Sequence, residues 1–296
     1  LKKEPLDNPN GKYPFATGEQ ISTGIREATI TGKPYPIKGW FIYATNLIQA
    51  LPNREKTIKA IQNLDLMVVV DVIPSEIAGW ADVVLPESVY LERYDDLNAS
   101  PFREGFVGIR QPVVYAPSDQ KPNWWMAKKL GEKLGLGAYF PWKNVEEYLD
   151  TRLKLKGHSL EELKKEGIIK GESQPIFFED GVEPEFLTPS GKIEFYSNQL
   201  ADAGFDPIPR FTKHPEPPSG YFRLLFGRAP VHTFSKTQSN PLLRDLFSEN
   251  ELWVNADLAE RYGLKSGDKI KLKNQDGVVS DPIKVKATER IRQDCV

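Results

Sequence analysis

The densest group of polar side chains in the sequence lies between Gly227 and Asn240. This segment carries one arginine, one histidine, one lysine, four hydroxyl residues, one glutamine and one asparagine, and it contains no acidic residue. Guanidinium and hydroxyl groups bind phosphate oxygens, while amides and hydroxyls pair with the donors and acceptors of a polar ring system. We therefore expect the segment to bind a ligand that combines a diphosphate with such a ring. The structural alternative is a solvated surface loop.

Two further polar residues, Asn46 and Asp71, each follow an apolar run that is typical of a β-strand. Ligands of open α/β sheets bind in the crevice outside the carboxyl ends of the strands. A carboxylate in that position can accept hydrogen bonds from a guanine or ribose edge. The structural alternative is that Asn46 forms a turn and that Asp71 caps the segment after it.

Several familiar catalytic and binding patterns do not occur in the sequence. It has neither a GxGxxG nor a GxxxxGK[ST] motif, which disfavours the usual binding modes of NAD and nucleoside triphosphates. No GxSxG motif supports a Ser-His-Asp triad, and the three histidines lack metal-ligand spacing. The one cysteine, Cys295, cannot by itself form a disulfide, a zinc site or an iron–sulfur cluster. We therefore predict no catalytic residue and no metal ligand in this sequence.

Charge and length limit the possible functions. With 39 basic and 41 acidic residues the net charge is −2, so we expect no nucleic-acid partner. No apolar run approaches the ~20 residues that span a bilayer. The 296 residues suffice for two domains of roughly 100–200 residues each. Because the sequence starts at Leu1 and stops at Val296 without a polar tail, we expect a fragment whose start site and any targeting peptide lie upstream.

The first half of the sequence predicts a Rossmann-like α/β domain with a parallel sheet over residues 37–150, after an irregular lead-in over residues 1–36. Residues 66–70 are all apolar, as in a strand that is covered on both faces of a parallel sheet. They follow a strand and a helix and so complete a βαβ unit. The predicted elements are strands over 39–44, 66–71 and 82–85 and helices over 53–64 and 124–134.

The second half of the sequence consists of two regions that differ in composition. We interpret residues 151–218 as a helical insert and a proline-rich linker. Residues 144–170 are strongly charged, and we expect two short helices there on a solvated surface. Residues 219–296 consist of short apolar runs with glycine and proline between them, and the tight turn at Asp276-Gly277 predicts a hairpin. Many short strands of this kind suggest a β-barrel.

Several blocks of the sequence resemble the dimethyl sulfoxide reductase family of molybdopterin oxidoreductases. They occur in the family's order over most of the chain, first in its third domain, then in the lead into its final domain, then in the final domain itself. The blocks are LMVVVDVIPSE (66–76), ADVVLP (81–86), LER (91–93), LTPSGKIEFYS (187–197), LFGR (225–228) with the residues up to Asn240, NADLA (255–259) and GLKSGD (263–268).

The resemblance implies that residues 219–296 form a double-psi-like β-barrel, which would be a truncated molybdopterin-dinucleotide-binding domain. It also implies a molybdenum-bis(molybdopterin guanine dinucleotide) cofactor. A [4Fe–4S] cluster in an N-terminal domain, and the residue that ligates the metal, would both lie upstream. The Gly-Arg-x-Pro-Val-His-Thr-Phe form of residues 227–234 is most similar to thiosulfate and polysulfide reductase catalytic subunits.

We therefore expect part of an oxidoreductase that reduces a small inorganic sulfur compound, thiosulfate or polysulfide, in anaerobic respiration. The resemblance implies a periplasmic location, with an iron–sulfur electron-transfer subunit and a membrane anchor subunit as partners. An arsenate or tetrathionate reductase of the same family is an open alternative. So are a non-catalytic cofactor-binding scaffold and a different α/β enzyme that uses a mononucleotide.

Site residues follow from the resemblance position by position. Asn46 matches the turn asparagine of the family's Gly-x-Asn-Pro loop, although Leu47 replaces the proline. Asn123 stands where the family often has an aspartate near the guanine. The other positions on the nucleotide side are Val70, Asp71 and Arg93, and those along the pterin and its phosphates are Gly227, Arg228, His232, Thr233 and Ser235.

Overall fold

The computed structural model shows two compact units that divide between Phe186 and Leu187, within the segment predicted as insert and linker. The first unit contains one parallel and one antiparallel three-stranded sheet, and the second contains one mixed three-stranded sheet. The described residues are 22–100, 103–173, 175, 177–233 and 237–296. Every helix within these ranges is too short or too polar to span a bilayer.

Helices and strands alternate along much of the described chain. The helices are α1 (Ser22–Thr31), α2 (Leu47–Ala50), α3 (Arg54–Gln62), α4 (Asn123–Lys133), α5 (Val145–Lys154), α6 (Leu160–Glu166), α7 (Asn198–Asp202), α8 (Pro241–Leu246) and α9 (Ala256–Arg261). The strands are β1 (Gly39–Tyr43), β2 (Leu66–Asp71), β3 (Val83–Pro86), β4 (Asn98–Ser100), β5 (Glu104–Gly108), β6 (Ile168–Ser173), β7 (Glu251–Asn255), β8 (Lys269–Ile270) and β9 (Ile283–Thr288). Short 3₁₀ helices cover Glu76–Trp80, Gly137–Tyr139 and Phe177–Asp180.

The parallel sheet has the order β1-β2-β3, and both neighbouring pairs run in parallel. This arrangement confirms the predicted βαβ unit, because a strand–helix–strand crossover produces parallel neighbours. Trp40 and Ile42 of β1 and Met67 of β2 are buried with Ile61 of α3 in a first hydrophobic core. Asn53 begins α3, and its side chain accepts a 3.1 Å hydrogen bond from the backbone amide of the third helical residue.

Residues Ser22–Thr31 form helix α1, where the sequence predicts an irregular lead-in. Half of the residues in α1 are β-branched, so local propensity does not favour a helix there. Packing stabilises the helix instead. Ala28 is fully buried, and the hydroxyl of Thr29 accepts a 3.1 Å hydrogen bond from the indole of Trp40 in the first core.

The charged segment over residues 144–170 is not a solvated insert. It forms the two predicted helices, α5 and α6, but these bury Leu149, Leu153 and Leu163 in a second core with the antiparallel sheet β4-β5-β6. The leucines recur at three- and four-residue spacing, so the charged side chains cover only the outer faces of the helices. A capping box formed by Ser159 and Glu162 begins α6. The predicted helices are therefore confirmed, and their predicted solvation is wrong.

The mixed sheet of the second unit has the order β7-β9-β8. Strand β7 pairs in parallel with β9, and β8 pairs with β9 in the antiparallel direction. Leu252, Val254 and Val285 pack with Leu258 of α9 in a third core. The side chain of Asn255 caps α9 and also donates a 2.9 Å hydrogen bond to a backbone carbonyl near the end of the described chain.

The closed barrel predicted for residues 219–296 is not formed by the described part of this unit. Residues 222–226, a predicted strand, contribute an isolated bridge between Arg223 and Cys295. The predicted hairpin turn is present, with Gly277 at a φ of +83°, but it joins strands of minimal length. Such short runs form few ladder hydrogen bonds, and the sheet stays open.

Candidate functional site

Polar residues gather where the three parallel strands end, a region that we name the carboxyl edge. Strand β1 ends at Tyr43, β2 at Asp71 and β3 at Pro86, and parallel pairing places these ends side by side. Just after β1, Ala44 has a φ of +52° and donates a 3.0 Å hydrogen bond to the carbonyl of Val70. This left-handed residue directs the chain away from the sheet at the position where α/β sheets bind ligands.

Three predicted site residues lie at the carboxyl edge, and the fold uses each of them. The side chain of Asn46 caps α2 by accepting a 3.2 Å hydrogen bond from a backbone amide of its first turn. The carboxylate of Asp71 accepts 2.8 Å hydrogen bonds from the hydroxyl of Ser75 and the amide of Val72, yet Asp71 is only half-buried. Val70 is 1% exposed, so its side chain belongs to the protein interior.

Arg93, the fourth predicted residue, is the centre of a charged network. Its Nη1 forms an ion pair with Glu87 and donates a 2.9 Å hydrogen bond to the carbonyl of Ser88. Its Nε donates a 3.0 Å hydrogen bond to Asp95. The side chain of Glu87 is 2% exposed, and a carboxylate this deeply buried requires such partners. Burial disfavours the charge on Arg93, but Asp95 and Glu87 outweigh burial and raise the pKa of Arg93.

Tyr43 joins this network from the end of β1. Its hydroxyl donates a 2.6 Å hydrogen bond to Oε1 of Glu87. Burial, together with the hydrogen bond to Glu87 and its negative charge, raises the pKa of Tyr43 to about 12. Arg93 and the side chain of Asn123 act in the opposite direction. Two predicted residues, Arg93 and Asn123, thus lie close enough to influence Tyr43.

Cationic and aromatic side chains lie beside the network. Lys121 forms an isolated backbone bridge to Glu87, and its Nζ lies 6.0 Å from the centre of the Trp125 ring. The guanidinium of Arg110 lies 5.1 Å from the centre of the Tyr90 ring. Guanidinium groups and aromatic faces are the groups that recognise anionic ligands with planar rings.

Our reading of the sequence missed Tyr43, Glu87 and Ser88. A signal for Glu87 exists, because it lies two residues after the third predicted strand, as Asn46 lies two residues after the first. Tyr43 carries no such signal, since an aromatic residue is ordinary within a strand. Ser88 acts through its backbone carbonyl, which the residue type does not reveal.

The polar segment of the second unit is described up to Thr233 and again from residue 237, and Ser235 lies outside the described residues. Gly227, Arg228 and Thr233 are exposed. The segment therefore presents backbone, guanidinium and hydroxyl groups on the surface of its unit, where a ligand can reach them.

His232 contacts Phe247 and Thr237 of the second unit. One ring nitrogen, Nε2, lies 3.2 Å from the carbonyl of Phe247, and the other, Nδ1, lies 3.4 Å from the hydroxyl of Thr237. The same hydroxyl accepts a 2.8 Å hydrogen bond from the amide of Thr233. Asn240 then caps α8 at the end of the segment. Both nitrogens of His232 therefore have protein partners among the described residues.

The described ranges contain no group of three or more His, Cys, Asp or Glu residues that could hold a metal ion. Cys295 is buried, and burial together with the charge of Asp294 raises the pKa of its thiol.

Two family models match the chain. The model for molybdopterin oxidoreductases matches residues 16–133, and the model for the molydopterin dinucleotide binding domain matches residues 222–296. The first range contains the carboxyl edge with Asp71 and Arg93. The second contains the polar segment between Gly227 and Asn240.

The proteins with similar sequences include several different enzymes. The thiosulfate reductase molybdopterin-containing subunit PhsA of Salmonella typhimurium is 32% identical over 294 residues, which cover 91% of this chain and 38% of PhsA. Acetylene hydratase of Syntrophotalea acetylenica is 30% identical, covering 86% of this chain and 36% of the hydratase. Dimethyl sulfoxide reductase DmsA of Escherichia coli is 28% identical, covering 86% of this chain and 35% of DmsA.

A solved structure agrees with these matches. Acetylene hydratase from Pelobacter acetylenicus superposes with a TM-score of 0.79 at 27% identity, covering 92% of this chain and 38% of that one. The chain thus spans less than two fifths of the length of the relatives named here. Together, the family models, the relatives and the fold show that this chain belongs to the molybdopterin oxidoreductases of the dimethyl sulfoxide reductase family.

Proposed function

We propose that the chain binds molybdopterin guanine dinucleotide as part of the catalytic subunit of a molybdenum enzyme that reduces thiosulfate or polysulfide in anaerobic respiration. The observation that carries this proposal is the carboxyl edge, which gathers Asp71, Arg93 and Asn123 around the ends of parallel strands. The similarity to PhsA, which is named as a thiosulfate reductase subunit, supports the sulfur substrate.

The residues of both units fit a dinucleotide. At the carboxyl edge, the half-buried carboxylate of Asp71 offers acceptors for guanine or ribose donors, and the guanidinium of Arg93 offers donors for phosphate or guanine acceptors. In the second unit, the segment between Gly227 and Asn240 has no acidic residue and exposes Arg228 and Thr233. A diphosphate bound there would meet donors and no carboxylate of the segment.

The two units contribute binding and orientation in this proposal. Asp71 and Arg93 would hold the nucleotide, and the segment between Gly227 and Asn240 would bind the pterin and its phosphates. When bound, the molybdenum group supplies the two-electron exchange with the substrate. The chain contributes the surface that fixes the position of the cofactor and the charge around it.

Several features of the whole enzyme belong to the same proposal. They are the bis form of the cofactor, a [4Fe–4S] cluster in another part of the protein, a partner iron–sulfur subunit, a membrane anchor subunit and a periplasmic location. We also propose that the mixed sheet of the second unit is part of a double-psi-like barrel. The support for all of them is the resemblance to thiosulfate and polysulfide reductases, of which this chain spans only part.

A second candidate is a hydration reaction that uses the same cofactor-binding units. It is favoured by the 30% identity to an acetylene hydratase and by the TM-score of 0.79 with a solved acetylene hydratase structure. Adding water to a triple bond involves no net electron transfer. Electron-carrier partners would therefore be dispensable for turnover, which separates this candidate from a reductase.

The test uses the native protein that contains this chain. Acid hydrolysis should release GMP, metal analysis should find molybdenum, and reduced viologen should be oxidised when thiosulfate or polysulfide is added. Asp71→Asn should lower the GMP content. The control is Asp65→Asn, an exposed carboxylate at the opposite end of β2 that pairs with Lys38.

The outcomes separate the parts of the proposal. A protein that releases no GMP contradicts dinucleotide binding altogether. A protein that releases GMP but leaves viologen reduced with both sulfur compounds contradicts the substrate, and acetylene consumption would then establish the second candidate. Equal GMP content in the Asp71→Asn and Asp65→Asn variants would remove Asp71 from the binding surface.

A further inference from the structure

We propose that Glu87 is the positioning residue of the carboxyl edge: its buried carboxylate fixes the guanidinium of Arg93 and the hydroxyl of Tyr43 where the nucleotide binds. This inference rests on the proposed function, since it assumes that Arg93 faces the nucleotide. Glu87 is not expected to touch the ligand, because its side chain is almost completely buried.

Glu87 forms hydrogen bonds with the last residues of β1 and β2. Its Oε1 accepts hydrogen bonds from the hydroxyl of Tyr43, the last residue of β1, and from Nη1 of Arg93. Its backbone amide donates a 3.0 Å hydrogen bond to the carbonyl of Asp71, the last residue of β2. Glu87 itself follows the last residue of β3. The side chain and backbone of one residue therefore set the spacing between Arg93 and the strand that carries Asp71.

The geometry of Arg93 shows what this arrangement leaves available. Nη1 and Nε are occupied by Glu87, by the carbonyl of Ser88 and by Asp95. Within the described part of the chain, Nη2 of Arg93 donates to no protein acceptor, and it is not among the buried polar atoms without a partner. Nη2 is thus reachable from solvent while the rest of the guanidinium is held in place, as expected for a group prepared to bind an acceptor.

The charge of Glu87 maintains this orientation. A buried carboxylate is unfavourable unless it is paired, so Glu87 and Arg93 constrain each other strongly. If the charge is removed, Arg93 keeps only Asp95 as an ionic partner near the edge, and its guanidinium can rotate toward that side. The donors that face the ligand would then lose their fixed direction, and nucleotide affinity would fall.

The experiment measures binding of GMP, used as the probe, to the full chain by calorimetry. Glu87→Gln keeps the size of the side chain and removes its charge. We expect its affinity for GMP to fall about ten- to hundredfold, by analogy with the loss of metal affinity when the hydrogen-bond partners of metal ligands are removed. The matched control is Glu146→Gln. Glu146 accepts a 2.8 Å hydrogen bond from Tyr94 and pairs with Lys164, which reproduces the tyrosine–carboxylate–cation arrangement at the second core.

A double-variant cycle distinguishes positioning from a general loss of structure. If Glu87 acts through Arg93, then adding Glu87→Gln to Arg93→Gln causes no further loss of GMP affinity, because the group being positioned is already gone. Additive losses overturn the inference. So does a Glu87→Gln variant that binds GMP as tightly as the wild type.

Two further results keep the inference separate from folding and from the proposed function. If Glu87→Gln fails to fold, Glu87→Asp retains the charge and shortens its reach, and unchanged GMP affinity in that variant overturns the inference. If the wild-type chain does not bind GMP, the proposed nucleotide site fails and Glu87 has nothing to position. If the wild type binds GMP and the Glu87→Gln variant binds it equally tightly, only the positioning role is contradicted.

Discussion

The hydroxyl of Tyr43 donates a 2.6 Å hydrogen bond to Glu87, whose side chain is only 2% exposed. Tyr43 is the last residue of β1 and Glu87 follows the last residue of β3, so this bond spans the edge of the parallel sheet. Burial and the neighbouring carboxylate both favour the neutral phenol, which is why the pKa of Tyr43 rises to about 12.

The raised pKa of Tyr43 predicts a change in stability at high pH. An unfolded tyrosine titrates near pH 10, so between about pH 10 and pH 12 the folded chain holds a proton that the unfolded chain loses. The contribution of Tyr43 to stability is complete below that window and decreases as the pH rises through it. Tyr43→Phe should remove this component, so its unfolding free energy should depend less steeply on pH there. Urea unfolding across the window, with tyrosinate absorbance on the folded chain, gives the measurement. Equal slopes for both proteins would contradict the prediction.

Gly131 is predicted to tolerate no side chain. A Cβ at this position in α4 would lie 2.6 Å from Cε2 of Phe140 and 2.9 Å from its Cδ2. The helix-propensity gain of Gly131→Ala is about 1 kcal/mol, whereas overpacking costs about 1–3 kcal/mol, so we expect a net loss of unfolding free energy. Gly79→Ala is the control, because a Cβ there meets no atom within 4 Å. A Gly131→Ala chain more stable than the Gly79→Ala chain would show that Phe140 moves aside freely.

The second core predicts that α5 contributes to stability in spite of its charged sequence. Leu149 is fully buried, and Leu149→Ala should lower the unfolding free energy by about 2–5 kcal/mol through lost contacts and the cavity left behind. Leu155 directly follows α5 and is 79% exposed, and Leu155→Ala should change the unfolding free energy by less than about 0.5 kcal/mol. Thermal or denaturant unfolding of the two variants decides the question. If both variants lower the unfolding free energy by similarly small amounts, the prediction that α5 lies on a solvated surface would be correct.

The two hydrogen bonds of the Asn255 side chain link α9 to the last described residues. Its Oδ1 accepts a 3.2 Å hydrogen bond from the amide of Asp257, and its Nδ2 donates to the carbonyl of Ile291 at 2.9 Å. Asn255→Ala should therefore cost about 1–2 kcal/mol of unfolding free energy, since it removes a cap and leaves a carbonyl without its donor. Asn250→Ala, which removes one exposed hydrogen bond to the next amide, is the comparison. Losses of the same size for both would contradict the linking role of Asn255.

Hydrophobic pattern alone predicts the parallel sheet, because residues 66–70 form a run that only a doubly covered strand explains well. It also places Asn46 and Asp71 correctly at the carboxyl edge. In both cases the side chain bonds to residues that directly follow it: Asn46 caps α2, and Asp71 accepts from the amide of Val72 and the hydroxyl of Ser75. A local pattern therefore locates a strand end well, but it does not distinguish a ligand contact from a cap.

The features that the sequence did not reveal depend on tertiary contacts. Helix α1 has poor local propensity and is stabilised by burial of Ala28 and by the bond between Thr29 and Trp40. The pairing of Glu87 with Tyr43 joins residues 44 positions apart, and no local pattern encodes such a pair. The described strands do not close into the predicted barrel for a related reason. Short apolar runs indicate strands, but their pairing partners decide whether a sheet closes.

Arg93 and Tyr94 are consecutive residues that serve different parts of the first unit. Arg93 completes the carboxyl edge, while Tyr94 packs against the second core and donates a hydrogen bond to Glu146 of α5. The backbone next to Arg93 is thus anchored by the packing of Tyr94 in the second core, which includes a helix that is synthesised some fifty residues later. We expect the edge to become competent for its ligand only after α5 has docked. A newly made chain would then bind its nucleotide only after this unit has finished folding.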